Sequence, residues 1–514
     1  MKNKLYLCLM AVLSLLVSCI SDDSTISDDS INITISGIES SYNIVSFSKN
    51  PNDKLVISPV VTSNLASDDL EYSWSYYDAK FKQVYGKETE KYATHFNDSK
   101  DIDEGLSLPE GEYVFFLTVT SKSTGYKQFA STTVYTSCDI SKGFIVLKEN
   151  ADGNSDYDLL NTSNNSFVGN VISTMQGEAV PGKPRHGDVI YYFAYQNPEN
   201  DRCAFNHCYC VTTENNEVRW IRISDGKTVM DADNCHFEKM DGEIPYRTVR
   251  GYFSSYFLTN NGVWSGYCGS YASMGILGSA AGNGGSTHCV TSAGAFYSLV
   301  YWDEQTRSIA MSDYNGGHVP GMSMVPGFEV ENTNYDCITC GNNSTMGENI
   351  YFLLKDRSNG KLYMYYIDCS MWMPALSRVE ELDSSSNFAN ASCYATCCSQ
   401  ATIAYGVRNN KLYAYDLAGT QTERELTVPG LPSGETITYV SNRFYNGLGA
   451  FDYFIIGTQS GSNYHVYCYK MVGGEPVGSP EVTISGEGIL HSVDYVEPST
   501  SEYTAQDACP ILDK

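Results

Sequence analysis

The strongest structural signal in the sequence is the segment Ile403-Ala404-Tyr405-Gly406-Val407, which a polar turn containing Asn separates from Lys411-Leu412-Tyr413-Ala414-Tyr415. The second run alternates in character, and two strand-like runs joined by a short polar turn are typical of a β-hairpin. The same arrangement recurs over residues 351–365 and again over residues 453–469. Three copies of one hairpin indicate a repeat protein built from β-sheets.

Weaker copies extend this repeat toward the N-terminus. Aligned on the second strand of the hairpin, the copies are centred on Leu160, Tyr209, Trp264, Ala310, Tyr363, Tyr413 and Tyr467. The spacing is roughly 50 residues, and a period of that length with hairpins and no helix is typical of a β-propeller. The pattern predicts seven blades between residues 139 and 498. Because the Leu160 and Ala310 copies are weak, six and eight blades remain open.

A propeller ring has to close, because each blade covers the apolar face of its neighbours. We expect a terminal strand to complete a shared blade, either residues 143–147 or residues 489–496, which are both strand-like. Residues 499–514 then form a C-terminal tail outside the ring.

A second all-β region precedes the repeat. Between residues 31 and 138, short alternating strands such as 31–35 and 113–119 are separated by polar turns, which predicts one β-sandwich. Trp74 lies in the middle of one such strand, where a large ring fills the core between two sheets. The motif Tyr72-Ser73-Trp74, followed by Pro109-Glu110-Gly111-Glu112-Tyr113, resembles PKD and related immunoglobulin-like modules. Such modules usually act as spacers.

The N-terminus has the pattern of a secretory signal. Lys2 and Lys4 precede an apolar run of about 13 residues, shorter than the roughly 20 that a membrane-spanning helix needs. The sequence Leu16-Val17-Ser18-Cys19 resembles a bacterial lipobox, which implies removal of residues 1–18 and acylation of Cys19. The acidic tether 19–30 resembles the surface-export signal of Bacteroidetes lipoproteins, with a periplasm-facing lipoprotein as the alternative.

Composition excludes some partners. The chain contains 33 basic and 60 acidic residues, a formal charge of −27, and no basic stripe interrupts this excess. A nucleic-acid partner is therefore excluded on electrostatic grounds. Of the 17 cysteines, Cys8 lies in the signal and Cys19 carries the lipid, which leaves an odd number. We expect mostly buried thiols with one or two disulfides, and no redox or zinc role for Cys337-Ile338-Thr339-Cys340.

Motifs of known chemistry are missing from the sequence. It has no nucleophile elbow, zinc-protease helix or phosphate-binding loop, and its eight histidines are scattered. The acidic tract 152–158 departs from the EF-hand spacing and predicts a turn between strands. We therefore expect no catalytic residues, metal or cofactor. Paired carboxylates of a glycosidase remain open, because only the fold determines their separation.

One segment has the composition of a binding surface. Residues 264–288 are too long and too rich in glycine for a blade turn, and they contain the aromatic residues Trp264, Tyr267 and Tyr271 before His288. Rings beside small polar groups suit a sugar face or a peptide side chain. These four residues are the predicted ligand-binding residues. The alternative is that Trp264 packs in a blade core and the remainder is a disordered excursion.

The order of these features resembles a known family. A lipobox, an acidic tether, a PKD-like module and then Ser141-Lys142-Gly143-Phe144-Ile145-Val146-Leu147-Lys148-Glu149 are similar to the PKD-like lipoproteins of Bacteroidetes. The resemblance implies a non-catalytic surface lipoprotein of the outer membrane, accessory to a SusC-like TonB-dependent barrel and its SusD-like lipoprotein. It favours oligopeptide over glycan as the cargo. A surface hydrolase of glycans or peptides and a structural spacer are the alternatives.

Overall fold

The structure is a computed structural model. It describes residues 31–46, 48, 52–79, 93–108, 111–138, 140–163, 165–197, 203–237, 240, 242–251, 254–267, 275–291, 297–313, 316–342, 349–370, 373–397, 401–420, 422–445 and 450–496. The predicted signal 1–18, the tether 19–30 with Cys19, and the tail 499–514 lie outside the described residues. Tyr271 also lies outside them, as does the side chain of Tyr267.

The chain contains two compact units. The first comprises the described parts of residues 1–43, 55–104 and 111–135, and the second comprises those of 44–54, 105–110 and 136–514. Over the described ranges, none of the helices has the length and apolar character needed to span a membrane. The prediction of an all-β protein is confirmed.

The N-terminal strands form a β-sandwich. They are β1 (Ile33–Ser36), β2 (Ser41–Ser46), β3 (Leu55–Ile57), β4 (Val60–Ser63), β5 (Leu70–Asp78), β6 (Thr94–Asn97), β7 (Ile102–Glu104), β8 (Gly111–Ser121) and β9 (Lys127–Cys138), with a 3₁₀ turn at Ser67–Asp69. One sheet has the order β2-β9-β8-β5-β6, and the pairs β1-β4 and β3-β7 form smaller sheets. Trp74 is fully buried beside Phe115 and Leu117, and its indole Nε1 donates to the Lys100 carbonyl oxygen at 3.1 Å. The ring therefore fills the sandwich core, as its mid-strand position predicted.

The remaining strands form the repeat. They are β10 (Gly143–Glu149), β11 (Ser155–Asn161), β12 (Ser166–Val168), β13 (Pro184–Gln196), β14 (Cys203–Thr213), β15 (Val218–Arg222), β16 (Lys227–Asp231), β17 (Pro245–Arg250), β18 (Ser254–Thr259), β19 (Gly262–Tyr267), β20 (Cys289–Thr291), β21 (Tyr297–Asp303), β22 (Ser308–Asp313), β23 (His318–Pro320), β24 (Met322–Ser323), β25 (Tyr335–Asn342), β26 (Asn349–Asp356), β27 (Leu362–Asp368), β28 (Ala375–Leu382), β29 (Cys393–Thr396), β30 (Ile403–Arg408), β31 (Lys411–Asp416), β32 (Glu423–Leu426), β33 (Thr436–Tyr445), β34 (Phe451–Ser460), β35 (Asn463–Val472), β36 (Glu475–Glu487) and β37 (Ile489–Val496). A short helix, α1 (Val171–Gln176), follows β12.

These strands form seven sheets, which are the blades of a propeller. From the inner to the outer strand they are blade 1 (β37-β10-β11-β12), blade 2 (β13 to β16), blade 3 (β17 to β19), blade 4 (β20 to β23), blade 5 (β25 to β28), blade 6 (β29 to β32) and blade 7 (β33 to β36). The short β24 adds to the outer edge of blade 5 in parallel with β28. The C-terminal β37 pairs antiparallel with β10, so the two terminal runs named by the sequence share one blade.

Apolar side chains fill the space between every pair of neighbouring blades. Each of seven clusters combines residues of two adjacent blades, and the last of them packs Ile455 and Val466 of blade 7 against Phe144 and Val493 of blade 1. The ring is therefore closed by hydrophobic packing as well as by strand pairing.

The turn in the opening hairpin shows why the sequence signal was strong. Arg408 pairs with Lys411 across a two-residue loop in which Asn409 and Asn410 have φ angles of 52° and 63°. A type I′ turn requires positive φ at both central residues, and Asn tolerates that conformation better than most residues. The Asn pair thus fixes the register of β30 and β31.

For one copy of the repeat, the sequence alignment chose the second strand of the blade instead of the third. Six of the seven aligned positions lie in the third strand of their blades, but Tyr209 lies in β14, the second strand of blade 2. The third strand of that blade is β15, whose Trp220 is buried. The error arose because β14 has the same alternation of aromatic residues and small thiols as a third strand.

A buried ion pair lies where the ring closes. Lys148 Nζ is 2.7 Å from Asp158 Oδ1 and donates to the Glu487 carbonyl oxygen at 2.8 Å. Tyr464 of β35 donates its hydroxyl to Asp158 Oδ2 at 2.5 Å. Lys148 and Asp158 are only 3% and 1% exposed, so protein groups supply their polar partners. We call Lys148, Asp158 and Tyr464 the closure cluster, because they connect blade 1 with blade 7.

Candidate functional site

The inner strands of all seven blades converge on one axial cavity of about 270 Å³. Its wall contains His186, Gly187 and Asp188 of β13, Arg247 of β17, Thr287, His288 and Cys289 at the start of β20, Thr339 and Cys340 of β25, Tyr394, Ala395 and Thr396 of β29, residues 439–443 of β33, and Ser492 and Asp494 of β37. Every blade therefore contributes to the cavity. Pockets on rigid scaffolds at a point of convergence are common ligand sites.

One side of the cavity carries a bidentate ion pair between blades 2 and 3. Arg247 donates through Nη2 to Asp188 Oδ1 at 2.7 Å and through Nε to Asp188 Oδ2 at 3.3 Å, and through Nη1 to the Thr287 carbonyl oxygen at 3.2 Å. The imidazole Nε2 of His186 is 3.2 Å from the same carboxylate. Burial alone would lower the pKa of Arg247, but the Asp188 carboxylate outweighs it and holds that pKa above its ordinary value.

A second ion pair lies between blades 7 and 1. Arg443 Nη2 is 2.8 Å from Asp494 Oδ1, and the hydroxyl of Tyr209 donates to Asp494 Oδ2 at 2.9 Å. Burial raises the pKa of Tyr209 well above its ordinary value, and the Asp494 charge raises it further, so this phenol stays a donor. The wall thus carries two guanidinium groups and two carboxylates that neutralise each other.

Hydroxyl groups and aromatic rings occupy much of the remaining wall. Tyr394 is anchored by donation from its hydroxyl to the Ala389 carbonyl oxygen at 3.2 Å, and burial raises its pKa to about 12. Tyr439 donates to the Val493 carbonyl oxygen at 3.1 Å. Thr396 Oγ1 lies 2.8 Å from the Tyr351 hydroxyl. Because these contacts fix the rings and hydroxyls before any ligand arrives, the wall is preorganised.

Two glycines allow the inner strands to approach their neighbours. A Cβ atom at Gly187 would lie 2.2 Å from the Tyr209 hydroxyl oxygen, and one at Gly341 would lie 2.2 Å from Thr396 Oγ1. Any larger residue would displace a polar side chain of the wall or its support. The glycines are therefore required by close packing behind the cavity.

The four predicted binding residues do not come together as a group in the described structure. His288 lines the axial cavity, where its Nδ1 atom is buried without a hydrogen-bond partner and lies 3.8 Å from Glu304 Oε1. Trp264 lies in the outer strand of blade 3, outside the cavity wall. Its Nε1 donates to Glu243 Oε2 at 3.1 Å, and its ring centroid is 3.9 Å from that of His236. Tyr267 ends β19, and its side chain and Tyr271 lie outside the described residues.

The glycine-rich run after residue 274 packs against the edge of blade 3. Ala281 exchanges backbone hydrogen bonds with Val263 at 2.9 Å, and Gly278 donates to the Ser265 carbonyl oxygen at 3.1 Å. Residues 277–281 therefore cover the outer edge of β19, where blade 3 has no regular fourth strand among the described residues. At Gly285 a Cβ atom would lie 2.9 Å from the Leu258 Cβ atom, so close packing explains at least this glycine.

Ten cysteines in the described parts of the chain form no disulfide bond, and seven of them are buried. Cys337 and Cys340 lie on β25, where the register shifts between residues 337 and 339. Burial raises the pKa of Cys337 well above that of an ordinary thiol. Within the described parts of the chain, no group of three His, Cys, Asp or Glu side chains is placed to hold a metal ion.

Sequence reasoning missed most of the cavity wall. Its weak signal is a charged residue inside the first strand-like run of some repeats, as at Asp188, Arg247 and Arg443. In an isolated strand such a residue indicates an exposed face. Only after the ring is recognised does the first strand of each repeat become the one nearest the axis.

Comparison with known proteins supports the fold. A family model described as the PKD-like family matches residues 28–184, which extend from the sandwich through β12 to the start of β13. No curated protein sequence matches the chain significantly.

Comparison with solved structures gives matches at low sequence identity. A quinoprotein alcohol dehydrogenase-like protein from Bacteroides thetaiotaomicron is 12% identical with a TM-score of 0.50, over 89% of this chain and 96% of that one. The periplasmic gluconolactonase of Pseudomonas aeruginosa is 11% identical with a TM-score of 0.37, over 69% of this chain and 99% of that one. At such identities the likeness to the first structure concerns the fold alone. The chain thus combines a PKD-like N-terminal region with a β-propeller.

Proposed function

We propose that this protein is a non-catalytic binding protein that holds a small polar ligand in its axial cavity. One observation carries this proposal: all seven blades supply the cavity wall, and the charged groups of that wall are already neutralised in pairs. A preformed polar cavity on a rigid ring favours binding, because little has to be ordered when the ligand arrives.

The same geometry argues against hydrolysis. A glycosidase needs one carboxyl group that is protonated to act as the acid and a second carboxylate that acts as base or nucleophile. The cavity does contain two carboxyl groups, Asp188 and Asp494, but each accepts a hydrogen bond from a guanidinium group at 2.7 or 2.8 Å. A guanidinium partner favours the ionised carboxylate, which cannot donate a proton.

The cellular part of the proposal rests on the sequence. The lipobox at Cys19, the acidic tether and the PKD-like match over residues 28–184 support a lipid-anchored protein of the outer membrane, facing the cell exterior. In that setting the propeller would be an accessory subunit of a SusC/SusD-type importer. It would present cargo, an oligopeptide or a glycan, to the TonB-dependent barrel and its SusD-like lipoprotein.

Purification of the native lipoprotein from detergent-solubilised outer membranes tests this placement. We expect a TonB-dependent barrel and a SusD-like lipoprotein to co-purify with the wild-type protein. The Cys19→Ala variant, which cannot be acylated, should be lost from the membrane fraction. Recovery of wild-type protein without any barrel would contradict the importer role.

A blocked cavity tests the binding role separately. Ser441→Trp places a large ring in the cavity wall, whereas Ser460→Trp places the same ring on an exposed position of the same blade. Binding of digested glycan and peptide mixtures should be lost in the first variant and kept in the second. Turnover of either mixture that Asp188→Asn abolishes would instead identify a hydrolase.

A further inference from the structure

We infer that the axial cavity binds a neutral, hydroxyl-rich ring of about one monosaccharide unit, in preference to the charged end of a peptide. This inference rests on the proposed function, because it names the ligand class of the same cavity. It is drawn from the charge balance, the hydrogen-bonding groups and the size of the wall.

The charge balance disfavours a charged ligand. Arg247 and Asp188 are 5% and 4% exposed, and Arg443 and Asp494 are similarly buried. A ligand carboxylate beside Arg247 would be a second anion next to Asp188, so one of the two carboxylates would lack a counter-charge. A ligand ammonium group beside Asp188 or Asp494 would likewise add a second cation to a pair that is already neutral. A buried charge without a counter-charge is strongly unfavourable, so free peptide termini are poor ligands.

The remaining polar groups suit hydroxyls. Ser and Thr side chains line the wall, and a hydroxyl group can both donate and accept hydrogen bonds; they include Thr339, Thr396, Ser441 and Ser492. A sugar ring offers the same dual groups along its rim.

The aromatic groups and the volume fit one ring. Tyr394 and Tyr439 supply flat apolar surfaces whose hydroxyls are tied to backbone carbonyl oxygens at 3.2 and 3.1 Å. The C–H face of a sugar packs well on such a ring. The cavity of about 270 Å³ is just below the usual range of ligand-site volumes, so it has room for a single ring. A longer glycan would insert one terminal unit and leave the rest outside.

Titration calorimetry of the full mature chain with matched probes tests this inference. Glucose and galactose are neutral, and glucuronic and galacturonic acid are their charged counterparts. Alanyl-alanine with free termini and the same dipeptide with acetyl and amide ends form a second matched pair. We expect a neutral sugar to bind, its uronic acid to bind at least about tenfold more weakly, and neither dipeptide to bind.

Two variants assign the binding to the cavity. Ser441→Trp should abolish sugar binding, and Ser460→Trp should leave it unchanged. If Ser441→Trp fails to fold, crosslinking of a diazirine-labelled sugar to the wild-type protein, mapped by mass spectrometry, should label residues of the cavity wall. Labelling elsewhere would overturn the inference.

The outcomes separate the ligand class from the proposed function. Binding of a dipeptide, but of no sugar, that Ser441→Trp abolishes would overturn the sugar inference and leave the binding role intact. Stronger binding of the uronic acid than of its neutral sugar would overturn the argument from charge balance. If no sugar or dipeptide binds the wild-type protein, both the inference and the binding role of the cavity are wrong.

Discussion

The closure cluster and the cavity wall both contain a buried ion pair, but the surroundings of the two pairs differ. Lys148 and Asp158 are enclosed by the Glu487 carbonyl oxygen and the Tyr464 hydroxyl, where blade 1 meets blade 7. Arg247 and Asp188 are also buried, but they form part of a wall that faces open space. An enclosed pair can act only on stability, whereas a pair on a cavity wall also orders polar groups that a ligand contacts.

The largest effect is expected at the closure cluster. Lys148→Met leaves the Asp158 carboxylate buried without a cation, which should lower the free energy of unfolding by about 3–5 kcal/mol. Chemical denaturation of the mature protein measures this loss. Adding Asp158→Asn removes the stranded charge and keeps an acceptor for the Tyr464 hydroxyl or the Asn170 N–H, so the double variant should recover part of the stability.

An exposed pair provides the control for that experiment. Lys361 and Glu381 lie 2.8 Å apart with both side chains half exposed. Lys361→Met should leave the unfolding transition nearly unchanged, because water solvates the remaining carboxylate. If Lys148→Met lowered the free energy of unfolding no more than Lys361→Met, burial of the closure cluster would add nothing to its effect on stability.

Acid should lower the stability of the fold through His207, which lies outside the cavity wall. Burial lowers the pKa of His207 to about 4, and its Nδ1 accepts the Tyr192 backbone N–H at 3.2 Å. The unfolded chain takes up this proton near pH 6.5 and the folded chain only near pH 4. Stability from this group is therefore complete above pH 6.5 and is lost as the pH falls to 4, by about 3 kcal/mol at most.

A histidine variant isolates this contribution from other acid effects. His207→Gln keeps an acceptor for the Tyr192 N–H but cannot be protonated, so it should reduce the loss of melting temperature between pH 6.5 and 4. Equal slopes for wild type and His207→Gln would refute the assignment.

A smaller effect on stability is expected at the cavity pair. Arg247→Met leaves Asp188 with His186 at 3.2 Å and beside the cavity, where water can enter. The free energy of unfolding should fall by about 1–3 kcal/mol, less than for Lys148→Met. Ligand binding should nevertheless be lost, since the uncompensated carboxylate disturbs the wall. Unchanged ligand binding would show that the ion pair of Arg247 and Asp188 plays no part in ligand recognition.

The sequence predicted the architecture better than the site. Period and alternation are local properties, so the hairpins at residues 403–415 and 453–469 identified the propeller. The need of a propeller to close then identified the shared terminal blade. The third-strand assignment failed at Tyr209 because two adjacent strands of blade 2 have similar composition. Local patterns identify strands, but they do not number them within a blade.

The site depended on the closed ring, which no local pattern contains. Arg247, Asp188 and Arg443 are far apart in sequence and meet only because the inner strands of different blades converge. Aromatic and glycine content drew attention to residues 264–288 instead, of which His288 belongs to the cavity wall. Trp264 lies outside the cavity wall, where its ring packs beside His236 and its indole N–H donates to Glu243.

The smallest expected difference in stability is between variants of two tyrosines. One donates a hydrogen bond to an enclosed carboxylate, and the other donates to a carboxylate of the cavity wall. Tyr464 donates to the enclosed Asp158 at 2.5 Å, and Tyr209 donates to Asp494 of the cavity wall at 2.9 Å. Tyr464→Phe should lower the free energy of unfolding by about 1.5–3 kcal/mol, because nothing replaces a bond to a buried charge. Tyr209→Phe should lose only about 0.5–1.5 kcal/mol, because water in the cavity can take the place of the hydroxyl.

Both substitutions remove one oxygen from a ring of unchanged shape, so a difference between their unfolding transitions reflects the surroundings of the carboxylates. Asp158 is 1% exposed and Asp494 is 8% exposed, and only the latter borders the cavity. Equal losses would mean that Asp494 is as fully enclosed as Asp158. The cavity would then be a packing void behind a closed wall, and a ligand could not reach its hydroxyl groups without rearranging the inner strands.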